Sequence, residues 1–149
     1  MNPRGVWRAL RHGPWRVAVD EESMSPALLP GDWLLVDPTV RRWPRRGSVV
    51  VIRQPGTSML VVKRIAAGPG DTVLAGTEYV RLQGEAWVLG DGGGYSVDSR
   101  HYGPVPLEDL VARAWFRYWP PRRIGLIPRR KANLARARSS VSSWGKPRR

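Results

Sequence analysis

Ser23 stands in a segment whose composition suits nucleophilic chemistry. The sequence at 21–32, EESMSPALLPGD, places two carboxylates before this serine and a proline and a Gly-Asp turn signal after it. A serine hydroxyl becomes a nucleophile at neutral pH when a neighbouring base takes its proton. The first question is therefore which residue is that base.

Lys63 is the strongest candidate for the base. Up to Trp119 the chain has fourteen arginines and one lysine, and that lysine is Lys63. Arginine stays protonated in proteins, whereas a buried lysine can lose its proton. In the strand-like run MLVVKRIA, a period of two places Lys63 on the face of Val61 and Ile65, where apolar neighbours lower a lysine pKa. An inward-facing lysine whose ammonium reaches water is the structural alternative.

Other catalytic chemistries have little support in the composition. The chain has no cysteine and only two histidines, His12 and His101. The absence of cysteine excludes disulfides, thiol catalysis and cysteine metal sites, and two histidines do not favour a histidine metal site. A Ser-His-Asp arrangement would depend on His101. We therefore predict no metal site and no cofactor.

The elements that must hold these residues are predicted to be short strands. β-Branched and aromatic runs alternate with turn signals that contain Gly and Pro, a pattern that favours an all-β sandwich or barrel. We predict a compact, mostly antiparallel β domain with one helical turn at 106–110. The predicted strands are WRVAV, DWLLVDP, SVVVIR, SMLVVKRIA, DTVLA, EYVRL, EAWVLG and ARAWFRYW.

The positive charge of the chain is concentrated at its C-terminal end. The net charge is +13, but residues 1–119 contain 15 basic and 12 acidic residues, while residues 120–149 contain 10 basic residues and no acid. We divide the chain into a basic segment at 1–16, a domain at 17–119 and a basic tail at 120–149 that is predicted to be disordered. Contact of the tail with an anionic membrane surface or nucleic acid is the alternative. No run approaches the ~20 apolar residues of a membrane span.

Four sequence blocks resemble the S26 serine peptidases, the type I signal (leader) peptidases, which use a Ser/Lys dyad. They are SMSPA at 23–27, GDWLLV at 31–36, KRIAAGPGD at 63–71 and GDGGGYSVDSR at 90–100. The blocks occur in the family's order across residues 17 to 119. The resemblance implies the all-β fold of signal peptidases and repressor-type peptidases, and serine endopeptidase activity.

The resemblance assigns roles to individual residues. Ser23 would attack the scissile carbonyl, with its backbone N–H as an oxyanion donor. Lys63 would take the serine proton and return one to the leaving amine. Ser96 is similar to the family's serine that orients the lysine. Asp98 and Arg100 resemble the ion pair that holds the last block in place.

The family binds its substrate as an added β-strand with shallow pockets for small side chains. Met24 and Ile65 are the positions that we assign to these pockets.

The sequence also departs from the family pattern around the nucleophile. Glu21 stands where a hydroxyl or small residue often supplies a second oxyanion donor, and Glu22 stands where a small residue is usual. Ala27 replaces a common threonine, and Gly92 replaces the usual asparagine. Carboxylates near Lys63 would favour its protonated form, so we expect an alkaline pH optimum.

The compactness of the domain narrows the expected function. Only 27 residues lie between Lys63 and Asp91, which leaves no room for the extra β domain of large leader peptidases. The residues of several blocks resemble those of the small nickel-type superoxide dismutase maturation proteases. We predict a cytoplasmic endopeptidase that removes an N-terminal leader or pro-segment from a precursor protein bound as an extended strand, with nickel superoxide dismutase as candidate substrate.

Two other interpretations remain open. One is a signal peptidase that acts on secreted precursors as a peripheral protein at the membrane surface. The other is a catalytically inactive S26-like or nucleic-acid-binding module that uses the basic tail.

Overall fold

The computed structural model describes residues 16–92 and 96–130, and most of the regular structure in them is strand. The helical elements are α1 (Ser99–Tyr102) and 3-10 turns at Leu107–Asp109 and Pro121–Arg123. Each of the eight predicted runs overlaps one strand of the series β1 to β8, so the all-β prediction is confirmed. The strands are β1 (Arg16–Ala18), β2 (Trp33–Asp37), β3 (Val49–Arg53), β4 (Leu60–Ala67), β5 (Thr72–Ala75), β6 (Glu78–Arg81), β7 (Trp87–Leu89), β8 (Leu110–Trp119) and β9 (Gly125–Leu126).

Antiparallel pairing joins these strands into one large and one small sheet. The large sheet has the order β1-β2-β8-β3-β4-β7, and β9 adds to β8. The small sheet is the hairpin β5-β6. Strand β4 lies between β3 and β7, with Lys63 opposite Val50 and Arg64 opposite Leu89. The residues around Lys63 are therefore fixed by backbone pairing on both sides.

Strand β3 is covered on both faces, which explains its unbroken apolar sequence. Val49 and Val51 pack in one cluster with residues of β1, β2 and the turn after β1. Val50 and Ile52 pack in a second cluster with Ile65 and residues of β7. A third cluster packs the hairpin β5-β6 against Ala66, Ala67 and Trp87.

The folded body extends beyond the boundary predicted after residue 119. β9 pairs with β8, Ile127 packs against the first core cluster, and the Arg130 amide donates to the Gly47 carbonyl at 3.2 Å. The Pro- and Arg-rich composition of segment 120–130 predicted disorder. The segment is ordered by its contacts with the folded body, which composition does not reveal. The predictions for segment 1–15 and for the tail from 131 onward lie outside the described residues.

The described residues contain no helix that is long and apolar enough to cross a membrane.

Candidate active site

The turn that follows β1 presents Ser23. Met24 and Leu28 are both 1% exposed and anchor the turn in the core, and the Leu28 amide donates to the Met24 carbonyl at 2.9 Å. A further bond of 2.9 Å from Ser25 N–H to the Glu22 carbonyl closes the chain around the serine. Ser23 itself is half-buried. Its neighbours are thus held rigidly while its hydroxyl faces a cleft.

The loop that follows β7 packs directly against this turn. Gly92 donates its amide to the Ser23 carbonyl at 2.7 Å. A Cβ atom at Gly90 would lie 2.6 Å from both the Ser23 carbonyl oxygen and Ser96 Oγ. The closeness of the two segments therefore depends on glycine.

The side chain of Lys63 lies in the interior and reaches the same cleft. The residue is 1% exposed. Burial lowers the pKa of Lys63 below the ordinary value of 10.5; the Glu21 and Asp98 carboxylates oppose this shift, and Arg100 assists it. The net direction favours the neutral amine that a general base requires.

The cleft has a volume of about 720 Å³ and brings Ser23 and Lys63 together with Glu21, Ser96 and Gly92. Within the described residues, no hydrogen bond joins Ser23 Oγ to Lys63. The Ser23 hydroxyl instead donates to Glu21 Oε2 at 3.4 Å. The two dyad candidates therefore share one cleft without being in direct hydrogen-bond contact.

Ser96, Asp98 and Arg100 form a compact buried network beside the cleft. Ser96 Oγ donates to Asp98 Oδ2 at 2.6 Å and accepts from Arg100 at 2.9 Å. Arg100 also contacts both Asp98 oxygens at 2.8 Å. The Gly90 amide donates to Asp98 at 2.9 Å, which ties the network to the loop against Ser23. The predicted Asp98–Arg100 pair is thus present, while the orientation of Lys63 by Ser96 stays a prediction.

The surroundings of Asp98 favour its ionised form. Burial alone would raise the pKa of its carboxyl group, but hydrogen bonds from Arg100, Ser96 and the Gly90 amide outweigh burial and hold it below its usual value. Asp98 also caps the N-terminus of α1 by accepting from the Arg100 amide at 3.1 Å.

The two predicted substrate-binding residues have different positions. Met24 lines a narrow second cavity with Glu21, Ser23 and Val61, so its role in a pocket stays a prediction. Ile65 is fully buried in the second core cluster, and it lines neither that cavity nor the cleft. The structure therefore gives no support to Ile65 as a substrate-binding residue, because its buried side chain offers no surface to a ligand.

The backbone of Ser23 is suited to binding a negatively charged oxygen. In the hydrogen bonding of residues 16–92 and 96–130, the Ser23 amide N–H has no acceptor. A free amide beside a candidate nucleophile is the kind of donor that an oxyanion needs.

Sequence reasoning missed a second buried ion pair next to the candidate base Lys63. Arg64 is fully buried and pairs with Asp91 at 2.8 Å. Its guanidinium also donates to the carbonyls of Gly47 and Pro128 at 2.7 and 3.0 Å. The signal was the arginine inside an apolar run, which required a buried partner.

Three cleft residues were also missed. Gln54 and Met59 come from the β3–β4 hairpin, and Val97 follows Ser96. Nothing in their residue types marked them as part of a site. Among the described residues, no group of three or more His, Cys, Asp and Glu side chains is arranged to hold a metal ion.

The sequence of the chain is similar to those of known peptidases. A model of the family "Signal peptidase, peptidase S26" matches residues 11–86 and 74–119. The chain is 35% identical over 129 residues to the mitochondrial ATP-independent inner membrane protease subunit 1a of Arabidopsis thaliana, covering 78% of this chain and 72% of that protein. It is 37% identical over 108 residues to the mitochondrial inner membrane protease subunit 1 of Schizosaccharomyces pombe, covering 66% and 69%. It is also 28% identical over 141 residues to signal peptidase I of Leptolyngbya laminosa, covering 72% and 70%.

These relatives support the coarser part of the resemblance drawn from the sequence blocks and give no support to its narrower part. The similarity is to inner membrane protease subunits and a signal peptidase, rather than to nickel-type superoxide dismutase maturation proteases. The family model covers well over half of the chain, and the relatives are named as inner membrane proteases and a signal peptidase. The chain belongs to the signal peptidase family, peptidase S26.

Proposed function

We propose that this protein is a serine endopeptidase in which Ser23 is the nucleophile and Lys63 the general base. The observation that carries the proposal is the meeting of these two residues in one cleft, with Lys63 buried so that its pKa is lowered. A lysine whose neutral form is favoured can accept a serine proton near neutral or mildly alkaline pH.

The proposed reaction proceeds in two acyl-transfer steps. Neutral Lys63 takes the Ser23 proton as Oγ attacks the scissile carbonyl, and the Ser23 N–H donates to the oxyanion that forms. Lys63 then gives its proton to the leaving amine, which leaves an acyl-enzyme. In the second step Lys63 activates a water molecule that hydrolyses the ester and restores the free serine.

Direct contact between nucleophile and base would require a small rearrangement. The Ser23 hydroxyl would turn from Glu21 towards the amine. Catalytic hydrogen bonds are often long in a free enzyme and tighten when substrate binds. The hydrogen bonds among Ser96, Asp98 and Arg100 would keep this side of the cleft fixed while Lys63 moves.

The proposed substrate is a precursor protein that loses an N-terminal leader or pro-segment. An extended peptide fits a cleft flanked by strands, because backbone hydrogen bonds can hold it irrespective of its sequence. Nickel superoxide dismutase precursor remains the narrower candidate. Its only support is the similarity of several sequence blocks to those of the nickel-type superoxide dismutase maturation proteases.

The membrane surface is the second candidate for the place of action. The relatives named as mitochondrial inner membrane proteases favour it. The cytoplasmic location and the contact of the basic tail with lipid or nucleic acid stay predictions, because the tail beyond residue 130 is outside the described residues.

The test is to incubate the purified protein with three precursors and sequence the new N-termini: a secreted precursor, an inner membrane precursor and the nickel superoxide dismutase precursor. We expect one defined cleavage site, lost in Ser23→Ala and in Lys63→Arg. The second variant keeps the positive charge and removes the ability to deprotonate. Ser58→Ala, an exposed serine in the β3–β4 hairpin, is the matched control and should cleave normally.

Normal cleavage by Lys63→Arg would overturn the dyad. A folded protein that cleaves none of the precursors, and binds nucleic acid in a salt-dependent way, would favour the inactive-module interpretation instead.

A further inference from the structure

Glu21 occupies a position where a carboxylate is unexpected for this chemistry. Its Oε2 accepts the Ser23 hydroxyl at 3.4 Å, and Glu21 makes the largest charge contribution to the pKa of Lys63. It lines both the cleft and the narrow second cavity. A single carboxylate therefore faces the proposed nucleophile, the proposed base and the space that a substrate would fill.

Among residues 16–92 and 96–130, few cations are placed to balance the charge of Glu21. Asp20 lines the second cavity and Glu22 the cleft, and Lys63 is the one basic residue that this part of the chain contributes to either lining. The salt bridges within residues 16–92 and 96–130 involve Asp32, Asp91 and Asp98 but none of these three acids. In a chain of net charge +13, this is a local concentration of negative charge at the mouth of the cleft.

Lys63 does not form a salt bridge with Glu21 or its acidic neighbours. Its side chain is almost completely buried at the bottom of the cleft, and among the described residues it has no hydrogen-bond or salt-bridge partner. Burial favours its neutral form. A neutral Lys63 would leave Glu21 facing the substrate as an uncompensated anion.

Such an anion has a cost during catalysis. The oxyanion of the tetrahedral intermediate forms close to Ser23, and an ionised carboxylate a few ångströms away repels that charge. A cation brought by the substrate would offset the repulsion, and it would bind most strongly in the transition state, when the negative charge is greatest.

We propose that Glu21 is a specificity-determining residue that selects substrates with an arginine or lysine side chain next to the scissile bond. The proposal rests on the proposed peptidase function. The cation of the substrate pairs with Glu21 at the junction of the cleft and the second cavity, with Asp20 and Glu22 adding to the attraction. Since the pairing offsets repulsion of the oxyanion, it acts on kcat as well as on KM.

The test uses an alanine-rich octapeptide that carries one arginine at each position in turn, together with citrulline twins that have the same shape and no charge. We expect one position at which arginine exceeds citrulline about tenfold in kcat/KM, which corresponds to about 1.4 kcal/mol. Part of the gain should appear in kcat. The preference for arginine should weaken at high salt, because the cleft is partly open to solvent.

Variants assign the preference to Glu21. In Glu21→Gln it should fall to nearly one, and Glu21→Asp should restore part of it. Glu21→Ser, which replaces an acceptor by a hydroxyl donor, should cleave the citrulline peptides faster than the parent does. Glu78→Gln, an exposed glutamate on β6, is the matched control and should keep the full preference.

A second measurement does not depend on turnover. The Ser23→Ala protein should bind the arginine peptide more tightly than its citrulline twin, and Glu21→Gln in that background should remove the difference. Dyad-dependent cleavage without a charge preference, or a preference unchanged in Glu21→Gln, would overturn this proposal and leave the peptidase function standing. If no peptide is cut, equal binding of the two twins would overturn it, and a Glu21-dependent difference would sustain it.

Discussion

Gly92 donates its backbone N–H to the carbonyl oxygen of Ser23 at 2.7 Å. This bond joins the turn that carries the proposed nucleophile to the loop after β7, and the neighbouring Gly90 amide donates to the buried Asp98 carboxylate. The position of Ser23 is thus coupled through two glycines to the buried network of Ser96, Asp98 and Arg100 beside the cleft. A small displacement of this loop should therefore reach the nucleophile.

Replacement of Gly90 by alanine should inactivate the enzyme. The new Cβ would lie 2.6 Å from the Ser23 carbonyl oxygen and from Ser96 Oγ, so one of these segments must move. A displacement of about 1 Å at a reacting group costs about 100-fold in rate, and we expect a loss of at least that size in kcat/KM. Gly68→Ala is the control because a Cβ atom at Gly68 would have no neighbouring atom within 4 Å. Equal activities of the two variants would contradict the coupling.

The rate of cleavage should rise with pH as Lys63 loses its proton. Burial lowers the pKa of Lys63 below 10.5, although Glu21 and Asp98 oppose the shift. In the proposed mechanism only the neutral amine of Lys63 acts as the base, so kcat/KM should increase with pH through the folded-state pKa of this lysine. The profile should show this limb on the alkaline side of neutrality, and Glu21→Gln should move it to lower pH because one opposing charge is removed.

His101 provides the control for that profile. Its side chain is 44% exposed, it is absent from the cleft lining, and its Nδ1 accepts from the Asp98 amide at 3.4 Å. His101→Ala should therefore keep the alkaline limb. A limb near pH 6 that disappears in this variant would assign the base to histidine and remove the Ser/Lys mechanism.

The strands were predictable because their residues carry the information locally. Runs such as SVVVIR are rich in β-branched residues and bounded by turn signals, so the strand can be recognised before its neighbours are known. Lys63 was recognisable for a similar reason. It is the one lysine beside fourteen arginines in residues 1–119, and it lies in an apolar run. Signals of this kind survive without knowledge of the tertiary structure.

The residues that were missed or misplaced depend on contacts distant in sequence. β9 is two residues long and exists because β8 offers an edge for pairing. Arg64 meets Asp91 and Pro128 only when the sheet has formed. Ile65 shares a strand face with Lys63 but lies deeper in the core, and a period of two cannot distinguish depth along a face.

The Asp98–Arg100 pair should make stability depend on pH in the acid range. The pKa of Asp98 is held below its ordinary value of 3.8, so the folded state binds a proton less readily than the unfolded state. Its stabilisation is present above pH 3.8 and is lost as the pH falls through the lower, folded-state value. Asp98→Asn should cost about 3 kcal/mol at pH 7, because Arg100 loses a buried carboxylate.

Urea denaturation of both proteins between pH 2 and 7 measures this contribution. The gap between parent and variant should narrow below about pH 4. A gap that stays constant over the whole range would mean that the charge of Asp98 is not what stabilises the fold.

Removal of the segment after Pro120 should destabilise the folded body. A chain that ends there loses the Pro128 carbonyl that accepts from buried Arg64, and it loses Arg123, which pairs with the 2% exposed Asp32 at 3.2 Å. Buried charged groups that lose hydrogen-bond partners cost about 1–3 kcal/mol each, which corresponds to a fall in Tm of several degrees for a domain of this size. A chain that ends at Arg130 retains all of these contacts and should melt close to the full-length temperature. If both shortened chains melt together with the full-length protein, the contacts of segment 121–130 contribute nothing to stability, and the domain ends at residue 119 as its composition predicts.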